Sequence, residues 1–276
     1  MPHRAPYLAA AALTLLAFAL APATRAVEPQ DTLVSTPLHV DRFIPLAEMN
    51  QHHVQVIRAV DPLAVYSNVT TFSGQAFAQG AATGGITRMV MDDLTFTTDP
   101  AVGAVSTIRF SVANLNAIPH SVRARVRFWN ADGASLGPGL PNGPGTYYAP
   151  GGTAVGFSFN AFTFGVGVTT LTGNVTFTLP AGATTTLWAG LTFDNVGTTT
   201  GATDADLSNF GQGMFSPVDL GSSTNTLFET TAAGSFFNTN NPAGAAVNFG
   251  GSPVASQGWE FVVTTLRVEL TSFSVE

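Results

Sequence analysis

Between Val122 and Trp129 the chain reads VRARVRFW, so Val122, Ala124, Val126 and Phe128 alternate with Arg123, Arg125, Arg127 and Trp129. A period of two separates the faces only in an extended strand, with one face apolar and the other meeting polar surroundings. Ser106–Asn114 repeats the pattern, with Ile108, Phe110 and Val112 inward and Arg109 outward. In Thr186–Asp194, Leu187, Ala189, Leu191 and Phe193 oppose Trp188 and Asp194. Val65–Phe72, Ile86–Thr97, Thr153–Phe162, Val166–Leu179 and Trp259–Thr271 are further Val-, Phe- and Thr-rich runs bounded by Gly, Asn, Pro and Asp. Helical periodicity is scarce and no fixed-period repeat occurs, which disfavours solenoids and propellers. The expected fold is all-β: an antiparallel two-sheet β-sandwich, jelly-roll-like, with long Gly/Asn-rich loops.

The opening MPHRAPYLAAAALTLLAFALAPATRA has a short basic start, an apolar run and a small-residue exit, the pattern of a signal peptide cleaved near Ala26. The apolar run is shorter than the roughly 18–20 residues that span a bilayer. Residues 27–63 are too short for a core of their own and are expected to supply an arm or edge strand to a sandwich over 64–276. With 45% apolar and 10% charged residues, the chain can bury a sizeable core. It has no cysteine, so that core must act without disulfides. All ten basic residues are arginine, and the chain beyond Ala26 carries eight of them against seventeen acids. Such a balance excludes nucleic acid and anionic membrane as main partners, because both require clustered positive charge. Lysine commonly guards exposed sheet edges, so its absence leaves self-assembly open.

Catalytic patterns are lacking: there is no Gly-x-Ser-x-Gly elbow, His-Glu-x-x-His or cysteine nucleophile. His52 and His53 would point to opposite faces of a strand, as would Asp92 and Asp93, while Glu229 and Glu260 are isolated in sequence. The chain is therefore read as non-catalytic. Two constellations remain. Asp194, Asp204, Asp206 and Asn209, set among glycines, could offer hard oxygen ligands to calcium; alternatively, Thr203 or Asp204 caps a helical turn and the other carboxylates are solvated. Arg109, Arg123, Arg125, Arg127, Trp129 and Trp188, with Tyr147 and Tyr148 on the long loop Asn130–Gly152, could pair with the acid groups of an extracellular polysaccharide and stack on its sugars. The competing assignment is a covered face of cross-strand ion pairs. The sequons at Asn68 and Asn174 would mark surface positions only where a glycosylation machinery reads them.

The series YSNVT (66–70), MDDLTF (91–96), FSVANLN (110–116), RFWNADG (127–133), GLTFDN (190–195) and GWEF (258–261) resembles exported bacterial β-sandwich domains found in PEP-CTERM, exosortase-sorted proteins. That resemblance covers residues 64–263 and implies an extracytoplasmic sandwich associated with the cell surface or extracellular polysaccharide. The chain lacks the terminal Pro-Glu-Pro signal, apolar helix and basic tail of the sorted pattern, so anchoring by that route is not expected. The expected role is a secreted, cell-surface or periplasmic structural or adhesive protein, with a carbohydrate-binding module as the alternative and a polysaccharide-acting enzyme third.

Overall fold

The computed structural model describes residues 31–49, 55–56, 59–80, 82–97, 104–179, 186–198, 201–231, 240–248 and 255–264. The expected leader over residues 1–26 and the pair His52–His53 lie outside the described residues. Among those described, no helix is long and apolar enough to cross a membrane.

In chain order the strands begin with β1 Thr32–Val34, β2 His39–Pro45, β3 Gln55–Val56, β4 Ala64–Ser67, β5 Thr71–Ala78, β6 Val90–Thr95, β7 Ala104–Asn114 and β8 His120–Asn130. They continue with β9 Gly156–Phe159, β10 Phe162–Phe164, β11 Gly167–Thr178, β12 Thr186–Asp194, β13 Phe210–Phe215, β14 Thr226–Thr230, β15 Gly244–Asn248, β16 Ser256–Gln257 and β17 Trp259–Val263. The helices α1 Leu46–Met49 and α2 Asp204–Leu207 are single turns.

These strands form the two packed sheets of an all-β sandwich. The first sheet runs β1-β9-β8-β12-β6-β14-β15, with β10 also on β8; the second runs β2-β11-β7-β13-β5-β3, with β16 on β13 and β17 between β7 and β4. β1 joins β9 in parallel. The long central pairings β11–β7 and β12–β8 are antiparallel. The interior is aromatic: Phe128 stacks on Phe177 at 5.1 Å between ring centroids, and Phe110 meets Phe159 at 5.3 Å. Each fully buried side chain of this size contributes about 1.5–3 kcal/mol relative to exposure, so the core alone accounts for a disulfide-free fold.

Residues 31–45 serve both layers, since β1 forms an edge of the first sheet and β2 an edge of the second. The turn expected near Thr203 is present: its hydroxyl accepts from the Asp206 N–H, while the Asp206 side chain accepts from the Thr203 N–H, a reciprocal cap that starts α2. Asn68, a sequon position, is fully buried; its amide donates to the Gln257 carbonyl, so it is not available at the surface.

Candidate functional site

The alternation in β8 places Arg123, Arg125 and Arg127 on the outer face of the first sheet, where they form a ladder with two aspartates. Arg123 grips Asp194 with Nε at 2.9 Å and Nη2 at 2.7 Å, and Arg125 reaches the same carboxylate at 3.6 Å. Arg125 Nε then donates to Asp31 Oδ2 at 2.8 Å, and Arg127 Nε donates to Asp31 Oδ1 at 3.1 Å. The order Arg123, Asp194, Arg125, Asp31, Arg127 thus alternates in sign. Ser158 Oγ completes the Asp31 shell at 3.1 Å. Burial lowers the pKa of Arg125, against the opposing pull of Asp31. Arg127 has Gly156 and Gly190 as its cross-strand neighbours. A Cβ on Gly156 would come within 2.5 Å of Asp31 Oδ1, so the missing side chain is what lets the carboxylate reach the guanidinium.

Several expected site residues lie elsewhere. Arg109 is not on this face: β7 belongs to the second sheet, and there Arg109 pairs with Glu260, with Asp41 at 3.6 Å and with Asp61 at 3.6 Å. Alternation told which way its side chain turns but not which sheet holds the strand. Trp129 and Trp188 are cross-strand neighbours, yet each is 0% exposed. Segment 130–148 folds back over them, with Trp188 Nε1 donating to the Asn142 carbonyl at 2.8 Å and the Tyr147 ring lying 5.3 Å from that of Trp129. The long loop is therefore a lid of fixed structure, and the aromatic platform is a satellite core with Met89, Met91 and Phe228. Tyr147 also lies under the Arg127 guanidinium at 5.4 Å, a cation–π contact that ties ladder to cover. Tyr148 points the opposite way, into the main core; its hydroxyl donates to the Thr178 carbonyl at 2.7 Å, and burial pushes its pKa up to about 12. All three tryptophans of the chain, Trp129, Trp188 and Trp259, are sealed from solvent. The native protein is accordingly expected to show blue-shifted tryptophan emission that iodide barely quenches; emission near that of free tryptophan would refute the closed platform.

The four residues considered for calcium each have protein partners of their own. Asp194 belongs to the ladder, and Asp204 accepts from the Gly84 and Gly85 N–H groups at 3.1 and 2.8 Å. Asp206 is held below its ordinary pKa by its bonds from Thr203 and also faces His120 at 3.4 Å. Asn209 donates to Asn116 Oδ1 at 3.1 Å.

Sequence reasoning set Asp92 and Asp93 on opposite faces of a strand but did not foresee that both are buried. Asp92 faces inward from β6 and accepts from the Gln257 N–H at 2.7 Å and Ser223 Oγ at 2.9 Å. Asp93, on the opposite face, accepts from the Thr224 N–H at 3.0 Å and its hydroxyl at 2.9 Å. Burial raises Asp92 well above the usual carboxylate range, with the charge of Asp93 adding to it, and burial raises Asp93 to about 6. Tyr66 lies beside them and is raised by burial and by both carboxylates. Such a set resembles acid–base machinery in its titration, yet Asp92 is 0% and Asp93 2% exposed, so the pair is sealed within the fold.

An open concave surface lies at the β1 end of the first sheet. β11 runs past its last pairing with β2 at Thr172, and among the described residues its far half, Gly173–Thr178, has only β7 as a neighbouring strand. Between that half and β1 lie two adjoining hollows of about 500 and 300 Å³ that share Thr32, Phe157 and Thr176. The rim carries hydroxyls and carboxamide from Thr32, Thr36, Thr153, Asn174 and Thr176, over a floor of Phe157 and Phe177; among the described residues no ionisable side chain lines it. Its β1 wall is held in place by the Asp31 end of the ladder. No protein-family model, curated protein or solved structure matches the chain.

Proposed function

We propose that the chain is an exported, non-catalytic β-sandwich of structural or adhesive role, working at the cell surface or in the extracellular or periplasmic space, and that the groove between β1 and β11 is its contact surface for extracellular polysaccharide. One observation carries this reading: Arg109, Arg123, Arg125 and Arg127, which could have held an acidic ligand, pair with Asp31, Asp194, Asp41 and Glu260, whereas the described residues that line the open groove carry no charge. A lining of hydroxyls over an apolar floor suits a neutral, hydroxyl-rich chain and supplies no general acid or base. The perturbed acids lie elsewhere and closed off. The second reading, a dedicated carbohydrate-binding module, uses the same groove and differs in selecting one defined glycan.

The test is co-sedimentation of the purified protein with insoluble neutral glucans and with acidic polysaccharide gels, using wild type and Thr176→Arg. Thr176 is exposed and lines both hollows, so arginine there fills and charges the groove while sparing the core. The expected result is retention on neutral glucan by wild type and at least tenfold weaker retention by Thr176→Arg, equal to about 1.4 kcal/mol. Equal retention of the variant, or retention by acidic gels alone, would remove the groove from the reading.

A further inference from the structure

Among the described residues four acidic side chains are buried: Asp92, Asp93, Asp194 and Glu260. Arg123 grips Asp194 and Arg109 reaches Glu260, whereas no described arginine or histidine pairs with Asp92 or Asp93. A carboxylate taken out of water is ordinarily matched by a cationic side chain or a metal ion.

The two carboxyls leave β6 on opposite faces but meet at its edge. Ser222 exchanges backbone hydrogen bonds with Thr95, which lays segment 222–224 along β6. Ser223 Oγ thereby stands 2.9 Å from Asp92 Oδ1, 3.4 Å from Asp93 Oδ1 and 3.0 Å from the Thr224 carbonyl oxygen. A hydroxyl carries one proton, which cannot serve three acceptors. Tyr66, fully buried on β4 of the second sheet, brings its hydroxyl to the same place beside Ser223 and Ser256, where both carboxylates act on it, yet Oη makes no hydrogen bond. Phe96 and Phe261 hold its ring edge-on, with centroids 6.2 and 6.4 Å away. The groups gathered there are oxygen donors: two carboxylates, two hydroxyls and a carbonyl.

We propose that Asp92 and Asp93, with Ser223 and Tyr66, form a buried site for a divalent cation of the calcium type, which ties β6 of the first sheet to β4 of the second. Oxygen donors select a hard cation, and calcium accepts irregular sets of them where magnesium demands a near-ideal octahedron. Two carboxylates match its charge, so filling the site removes their repulsion and gives the orphaned phenol oxygen a partner. The Ser223 proton is then left to the Thr224 carbonyl. The site is separate from Asp194, Asp204, Asp206 and Asn209, and from the groove between β1 and β11. Its enclosure makes the ion a structural one, taken up as the sheets close and released when they open. In chelator the bare pair takes up protons instead, so ion and proton compete for the same oxygens.

The experiment refolds the urea-unfolded protein at pH 8 with calcium or with EGTA, desalts it into metal-free buffer, and measures bound calcium by plasma emission and stability by thermal unfolding. Wild type refolded with calcium is expected to retain about one ion per chain and to unfold about 5 °C or more above the EGTA sample. Asp93→Asn, which keeps an acceptor for Thr224, is expected to retain none and to unfold alike in both. Asp204→Asn is expected to behave as wild type. Should Asp93→Asn fail to fold, Tyr66→Phe decides, since it keeps both carboxylates and is expected to lose its calcium to EGTA about tenfold faster, equal to about 1.4 kcal/mol. Wild type that retains no calcium, Asp93→Asn that retains it as wild type does, Tyr66→Phe that loses it no faster, or loss of the ion in Asp204→Asn overturns the proposal.

Discussion

Replacing Asp31 with alanine is expected to lower the free energy of unfolding by about 3–5 kcal/mol, the usual cost of removing one partner from a buried ion pair. Asp31 sits between two guanidiniums, and the side chains of Asp31 and Arg127 are 4% and 2% exposed. The loss is large because of what remains: Arg127 would stay beneath its cover without the Asp31 carboxylate, and Arg125 would keep its longer contact with Asp194 but lose that with Asp31. In a sandwich of this size the change corresponds to a fall in Tm of roughly 10 °C. β1 should also come free, so protease cleavage between Thr32 and Pro37 should accelerate while β2 stays protected. Asp31→Asn, which keeps an acceptor but not the charge, should fall between the two. Urea unfolding midpoints measured side by side decide the matter, and a shift under about 1 kcal/mol would mean that the ladder behaves like an ordinary solvated pair.

The second large effect is in pH. The folded-state pKa values of Asp92 and Asp93 are raised above those of the unfolded chain, so in the window between them the native state binds more protons and stability falls as pH rises. For Asp93 the window runs from about 4 to about 6 and amounts to about 2–3 kcal/mol. Asp92 contributes in the same direction and continues above it. Asp206, whose pKa is lowered, acts with the opposite sign but only below about pH 4. The protein is therefore expected to be more stable near pH 5 than at pH 8. Asp92→Asn should flatten the profile, raising stability at pH 8 and changing it little near pH 4.5. The carboxamide can keep its oxygen toward the Gln257 N–H and turn its nitrogen toward Ser223. Thermal unfolding of both proteins across this range is the measurement; stability that rises toward neutral pH in wild type would contradict the assignment.

The strands of the interior were legible because alternation is a local signal. Thr186–Asp194 is the observed β12, and Ser106–Asn114 and Val122–Trp129 differ from β7 and β8 by two residues or fewer at each end. What covers an outward face is not local. The pairing of Arg123 and Arg125 with Asp194 is visible in hindsight from adjacent amphipathic strands, but Asp31 lies 96 positions from Arg127 and gives no sign of its partner. Trp129 and Trp188 occupy outward positions, as the period required, and became core only because segment 130–148 closes on them. Asp92 and Asp93 take opposite faces as adjacent strand residues must; their burial depends on Ser223 and Thr224, about 130 positions away, in a stretch where glycine and asparagine obscure the strand pattern. The Thr203 cap was readable for the opposite reason, since all its parts lie within four residues.

The placement of β17 governs when this molecule can exist as a folded body. Ser67 Oγ donates to Glu260 across 193 positions, and β17 fills the space between β4 and β7. A chain still being made therefore holds β4 and β7 with open sides until its last described strand emerges, and the second sheet cannot close from its own N-terminal half. Such distant pairings place folding in the slow, millisecond-to-second regime and favour collapse after synthesis over stepwise folding during it. On the proposed reading of an exported chain, that delay is useful, because the late strand acts as a timer that keeps the polypeptide threadable until β17 is made.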